Sequence, residues 1–262
     1  MAHTHLAELL DLDADVLHEY HDTVLTWVGS LTPARPRVVD LGAGSGTGTL
    51  ALARQLPDAE IVAVDVDDEM LDHLRGRAHA LGVADRVHTV QADLDQSWPP
   101  LGPADLIWAS ASLHHLAEPA RALTRAHATL RPGGLFVVTE LDSFPRFLPE
   151  GAGADLEERC HAVLAEIRAE KGLHMTEDWA ARLVEAGFTV EAERRFDIAL
   201  RAPLPAATGR YAHLTLARMR HGLDGRLPAP DLAALDTIAA GVASRTDLTV
   251  RATRTVWLAR RP

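Results

Sequence analysis

The sequence predicts a doubly wound α/β fold built on a mostly parallel, seven-stranded sheet with helical lid insertions. Three observations carry that expectation. The stretch Val38 to Ala53, VVDLGAGSGTGTLALA, reads as a buried strand, a glycine turn and a helix start. Apolar runs then alternate with helical spacing through the first half of the chain. Acids stand at the ends of three successive runs, Asp40, Asp65 and Asp93.

In the first unit, Gly42, Gly44 and Gly46 occupy every second position after Asp40. Bare backbone at a strand end lets a ligand approach closely, and exposed N–H groups and the helix dipole can hold it there. A dinucleotide fingerprint beginning at Gly42 would place its third glycine at position 47, where Thr47 stands instead. The pattern is G-x-G-x-G. Thr47, Gly48 and Thr49 follow the loop rather than lysine, so it is no Walker A loop.

The second unit, EIVAVDVDDEML, ends its strand at Asp65 and opens a helix with Asp67, Asp68 and Glu69. An acid there can accept hydrogen bonds from both hydroxyls of a ribose. Val87, Thr89 or Val90, and Ala92 give a third strand closed by Asp93, and Ala104 to Ser112 the fourth. A helix from Pro119 to Leu130 leads through the turn Arg131-Pro132-Gly133-Gly134 into a fifth strand, Leu135 to Thr139.

Asp40 with the G-x-G-x-G loop, Asp65, Asp93 with Leu94, Asp105-Leu106-Ile107, Leu113-His114-His115-Leu116 and Leu130-Arg131-Pro132-Gly133-Gly134 occur in this order. Together they resemble the motif series of the class I S-adenosylmethionine (SAM) dependent methyltransferases, small-molecule type. The resemblance covers about Arg37 to Glu140 well and the remainder loosely. It implies a SAM cofactor held by Asp40, Gly42, Ala43, Gly44, Gly46, Asp65, Val66, Met70, Ala92, Asp93, Leu94 and Ser110. In that family the acid matched by Asp93 accepts from the adenine amino group. Asp40 can offset the cofactor's positive charge or cap the loop's N–H groups, and Ser110 can contact the methionine portion.

Before that core, Leu6 to Leu31 reads as one or two amphipathic helices, within a helical segment 1–33. The resemblance lets Tyr20 and His21 face the ligand, but the residues themselves favour Tyr20 as core and His18 and His21 as solvated. After it, 142–175 and 203–244 read as helical insertions able to line a substrate pocket. Within them fall a helix from about Asp155 to Lys171 and two more around Tyr211 to Met219 and Leu232 to Ala240. Thr176 is the expected N-cap of the helix in TEDWAARLVEAGF. Strands six and seven are expected at Thr189 to Ala199 and in LTVRATRTVWLARRP. The whole chain, 1–262, is expected to be one methyltransferase domain.

Composition narrows the chemistry. A net charge of −11 disfavours nucleic acid and anionic membranes as partners. A small-molecule methyl acceptor is the expected partner, and a homodimer is compatible with the sequence. No run approaches a membrane span and the first residues carry acids, so the expected location is cytoplasmic. Lys171 is the single lysine, and Ile167 four places before it removes the Tyr-x-x-x-Lys arrangement of short-chain dehydrogenases. The one cysteine, Cys160, excludes an internal disulfide and reads as a packed thiol.

If the acceptor is a hydroxyl, a base helps. His115 is placed first because it follows the fourth strand, and His114 second. Glu140, Asp142, His21, His174, Tyr211 and His213 complete the candidates. Glu158-x-x-His161 is a helical pair of the di-iron type, but no partner set accompanies it, so no metal is expected. The rival readings are an NAD(P)-dependent oxidoreductase, opposed by the early third glycine and by Asp93, and a SAM-binding protein that transfers no methyl.

Overall fold

In the computed structural model, which describes residues 2–151, 153–175 and 177–262, the sheet grows outward from β1, Arg37–Leu41. Val38, Val39 and Leu41 are at most 1% exposed, so both faces of this strand are covered and its unbroken apolar run follows. Two helices precede it, α1 (Ala2–Val16) and α2 (His18–Gly29). The chain continues through α3 (Thr47–Gln55), β2 (Glu60–Asp65), α4 (Asp68–Ala80), β3 (Val87–Gln91), β4 (Ala104–Ser110), α5 (Pro119–Thr129) and β5 (Leu130–Arg146). Then come α6 (Ala154–Glu170), α7 (Trp179–Glu185), β6 (Thr189–Leu200), α8 (Thr208–Gly222), α9 (Ala229–Gly241) and β7 (Val250–Arg260).

The seven strands lie in the order β3-β2-β1-β4-β5-β7-β6. β1 is parallel to both β2 and β4, β2 to β3, and β4 to β5. β7 runs the other way along β5: Gly133 N–H donates to the Arg261 carbonyl, while Thr249 N–H donates to the Phe147 carbonyl at the opposite end. The sheet is therefore mixed. Its order reverses between β1 and β4, and in such folds ligands gather outside the carboxyl ends of the strands at that point.

Two elements differ from their sequence reading. The fifth strand occupies Leu130–Arg146, well beyond Leu135 to Thr139 at both ends. Ala104 pairs with Leu130 and Leu106 with Leu135, so the expected turn at Arg131 to Gly134 is a bulge inside a continuing strand, with Gly133 at φ 78°. The expected cap Thr176 lies outside the described residues, and the N-cap of α7 is Asp178, whose carboxylate accepts from the Ala181 N–H. Ala92 and Asp93 stand just past β3, which ends at Gln91.

The chain divides into two compact units, each made of three segments. One comprises Met1–His18, Asp142–Leu173 and Asp197–Arg254; the other comprises Glu19–Leu141, His174–Phe196 and Thr255–Pro262. The second unit holds β1 to β4, the glycine loop and a core that includes Leu41, Ile107, Phe136, Trp179 and Phe188. In the first unit, Glu157 anchors the end of β5: its carboxylate accepts from the Phe147 and Leu148 N–H groups at 2.9 and 3.0 Å. Burial is the larger influence and raises the Glu157 pKa against those bonds.

Candidate functional site

The loop after β1 is fixed by positive φ at Gly42, Gly44 and Gly46 (71°, 53° and 82°). A Cβ at Gly42 would collide with the side chain of Ser112, and one at Gly46 with Leu74 on α4. Ser112 itself donates from Oγ to the Leu41 carbonyl at 2.7 Å. The glycines are thus demanded by neighbouring protein as well as by any ligand.

The loop's donors are used differently from the sequence reading. Gly42 and Ala43 N–H groups both donate to the Val64 carbonyl, at 2.8 and 3.0 Å, and Gly46 N–H donates to the Ala43 carbonyl at 2.9 Å. Gly44 N–H donates to Asp65 Oδ2 at 2.7 Å. These four groups therefore brace the loop against β2 and itself rather than pointing at a ligand.

Asp65 is half-buried at the end of β2. Besides Gly44 it accepts from the Asp67 N–H on Oδ1 at 2.9 Å, so backbone donors on both sides hold the carboxylate in one orientation. Asp67 in turn caps α4 by accepting from the Glu69 and Met70 N–H groups. Val66 between them is exposed and Met70 is buried. Ala92 N–H donates to the Asp65 carbonyl at 2.9 Å, which brings the third acid's segment beside the second's.

Asp93 shapes its own turn. It accepts from the Asp95 N–H at 2.9 Å and from Gln96 Nε2 at 2.8 Å, and Leu94 beside it packs partly on the core. Asp40 is 2% exposed, and its Oδ2 accepts from the Thr49 hydroxyl at 2.5 Å. Burial pushes its pKa up to about 7 against the pull of the Thr49 bonds. Trp108, the β4 residue paired with Asp40, leaves its indole N–H buried without a hydrogen-bond partner.

At the end of β4, Ser110 shares a hydrogen bond of 2.8 Å with Thr139. The next residue, Ala111, takes φ 51°, an uncommon conformation for a residue with a Cβ, and its N–H donates to the Thr139 carbonyl. The 3₁₀ turn Leu113–His115 follows. Glu140 Oε1 accepts from the Leu113 and His114 N–H groups at 3.0 and 3.3 Å, and Oε2 lies 2.6 Å from His114 Nδ1. His114 and Glu140 are both buried, whereas His115 is exposed with its ring centroid 4.1 Å from that of His114.

Three of the other base candidates are committed elsewhere. His174 shares a 3.0 Å bond with Glu177, which also accepts from Arg182. Tyr211 is buried with its hydroxyl on Asp13, and burial raises its pKa well above 10, so the phenol keeps its proton. His213 Nδ1 lies 2.8 Å from the Ala239 carbonyl. Tyr20 is core, edge-on to Phe196. Cys160 is fully buried with its pKa pushed up to about 11 by burial, an inert packed thiol. Among the described residues no cluster of His, Cys, Asp and Glu could hold a metal.

Sequence reading named Glu140 but not its grip on the 3₁₀ turn, and it missed Ala111 and Ser112. An acid closing the apolar run LFVVT was the available signal for the first. No local pattern marks the other two.

A mixed sheet whose order reverses between β1 and β4, a glycine-built loop and two acids held at neighbouring strand ends are the architecture of a nucleoside-cofactor-binding α/β protein. Residues 38–134 match the family model of a methyltransferase domain. That match and the relatives below support a class I SAM-dependent methyltransferase. The chain is 34% identical over 174 residues to trans-aconitate 2-methyltransferase of Azoarcus, an alignment covering 66% of this chain and 53% of that protein. The chain thus spans about half the length of that relative. A second relative, 27-O-demethylrifamycin SV methyltransferase of Amycolatopsis mediterranei, is 26% identical over 80% of this chain and 76% of its own length.

The fold is shared with a SAM-dependent methyltransferase of Geobacter sulfurreducens solved with S-adenosylhomocysteine. The TM-score is 0.51 at 23% identity, covering 90% of this chain and 89% of that one. No helix among the described residues is long and apolar enough to cross a membrane.

Proposed function

We propose that this protein transfers a methyl group from SAM to a small-molecule acceptor in the cytoplasm. The observation that carries the reading is Asp65, a carboxylate oriented by two backbone donors at the end of β2, beside a loop with three glycines at positive φ. A carboxylate so fixed is a preorganised acceptor for two ribose hydroxyls. SAM supplies an electrophilic methyl on a sulfonium.

The chain's own residues then bind and align. Asp65 takes the ribose, flanked by Val66 and Met70. Asp93, with Ala92 and Leu94, reads the adenine. Beside Gly42, Ala43, Gly44 and Gly46, Asp40 is the group that the cofactor's positive charge would draw into its ionised form, and Ser110 meets the methionine portion. Holding an acceptor in line with the methyl provides much of the acceleration in a displacement of this kind. His115 is the first candidate to take a proton from a hydroxyl acceptor, and His114, held by Glu140, is the second. Segments 1–33, 142–175 and 203–244 are the proposed sources of acceptor selectivity. Relatives named for trans-aconitate and for a rifamycin support an acceptor of small organic type.

Calorimetric titration of S-adenosylhomocysteine, SAM and NADH into the wild-type protein and Asp65→Ala tests this. S-adenosylhomocysteine is expected to bind the wild type and to bind the variant about 10- to 100-fold more weakly, the loss for charge-assisted hydrogen bonds. Binding of NADH alone would return the function to the oxidoreductases. Once an acceptor is found, His115→Gln is expected to lower turnover about 100-fold. A rate near wild type removes His115 and moves the test to His114→Gln.

A further inference from the structure

In the unit containing α6, one face of that helix carries two polar side chains whose needs the protein does not meet. His161 is 8% exposed, and its Nε2 is buried without a hydrogen-bond partner. Its other ring nitrogen donates to the Pro145 carbonyl, so the neutral ring presents Nε2 as an acceptor. Two turns along the helix, Arg168 lies with its guanidinium 3.6 Å above the centre of the Phe144 ring. No hydrogen bond or ion pair reaches that guanidinium among the described residues.

A half-buried cation without an anion costs stability, and stacking on Phe144 offsets part of that cost only. The neighbours add to the positive potential. Burial and the charge of Arg218 lower the Arg168 pKa to about 10, which leaves the group charged at neutral pH. Burial, then Arg146 and Arg168, push the His161 pKa down to about 4 and keep that ring neutral. The acid at hand, Glu158, is 3.4 Å from Arg146.

We infer that Phe144, His161, Arg168 and Arg218 form a binding site for a small hydroxycarboxylate, its carboxylate on Arg168 and its hydroxyl donating to His161 Nε2. An unpaired guanidinium calls for an anion, and an unpaired acceptor nitrogen calls for a donor. A ligand carrying both satisfies both. A plain carboxylate satisfies the first alone, and a neutral alcohol the second alone. The site stands on these contacts within one unit and does not depend on the proposed methyl transfer.

L-malate and succinate, which differ by one hydroxyl, are the probes, titrated calorimetrically into the full-length protein. Malate is expected to bind about tenfold more tightly than succinate, the worth of one buried hydrogen bond. Arg168→Gln is expected to abolish binding of both. His161→Phe should weaken malate to the level of succinate and leave succinate unchanged. Equal affinities in the wild type, binding unaltered in Arg168→Gln, or no binding of either acid up to about 10 mM, the weak end of specific affinities, would each overturn the site. S-adenosylhomocysteine titration and thermal melting of each variant report folding separately. The wild-type comparison of the two acids needs no variant.

Discussion

Asp40 carries an unusual burden for a carboxyl at a strand end: it is buried, its chief partner is a neutral hydroxyl, and its pKa stands at about 7. In the unfolded chain the same group titrates near 3.8. Between those values the folded protein holds a proton that the unfolded chain has released, so stability falls as pH rises from about 4 to about 7. Above and below that window the group contributes no slope. Urea unfolding of the wild type and Asp40→Asn at pH 5 and pH 7.5 measures this. The wild type should lose on the order of 3 kcal/mol relative to the variant between the two values. Superimposable pH profiles would mean the carboxyl is ionised throughout. That Asp40 matters was legible in the sequence. Its protonation was not, because burial is set by β2 and β4 on either side of β1.

Among elements, the junction of β1 and α3 depends on Gly46, whose left-handed φ stands at the N-cap of the helix and whose missing Cβ makes room for Leu74. Gly46→Ala therefore combines backbone strain with overpacking and is expected to cost about 2–4 kcal/mol. Guanidinium unfolding reads that loss, and a variant within about 0.5 kcal/mol of wild type, the range of a neutral surface change, would show that the loop absorbs the methyl. The glycine spacing exposed this junction at once, since three glycines at alternate positions have few other uses. Element ends were less legible. Pairing with β4 and β7 draws the fifth strand through the Pro-Gly-Gly sequence that locally signals a turn, and Asp178 holds the cap of α7. Long-range hydrogen bonds overrule local preference in the first case. In the second, two acids near a helix start, Glu177 and Asp178, compete for one role, and Glu177 is drawn off by His174 and Arg182.

Across the whole molecule, the alternation of apolar runs with helical spacing, and an acid at the end of each of three runs, were enough to read the parallel half of the sheet. The pairing of His114 with Glu140 lies 26 residues apart in the chain and becomes visible once β4 and β5 are seen side by side. The division into units is written nowhere in the composition, because each unit gathers three separated stretches and no linker marks the crossings. Three of the five crossings fall inside β5, β6 and β7, between residues 141 and 142, 196 and 197, and 254 and 255; the other two lie at the start of α2, between 18 and 19, and between α6 and α7, at 173 and 174. Neither unit can be excised by a single cut, and no terminal truncation removes one while sparing the other. Exchanging the first unit whole between this protein and a relative is consequently a five-junction operation: the stretches 1–18, 142–173 and 197–254 have to travel together, and three of the junctions have to be made in mid-strand.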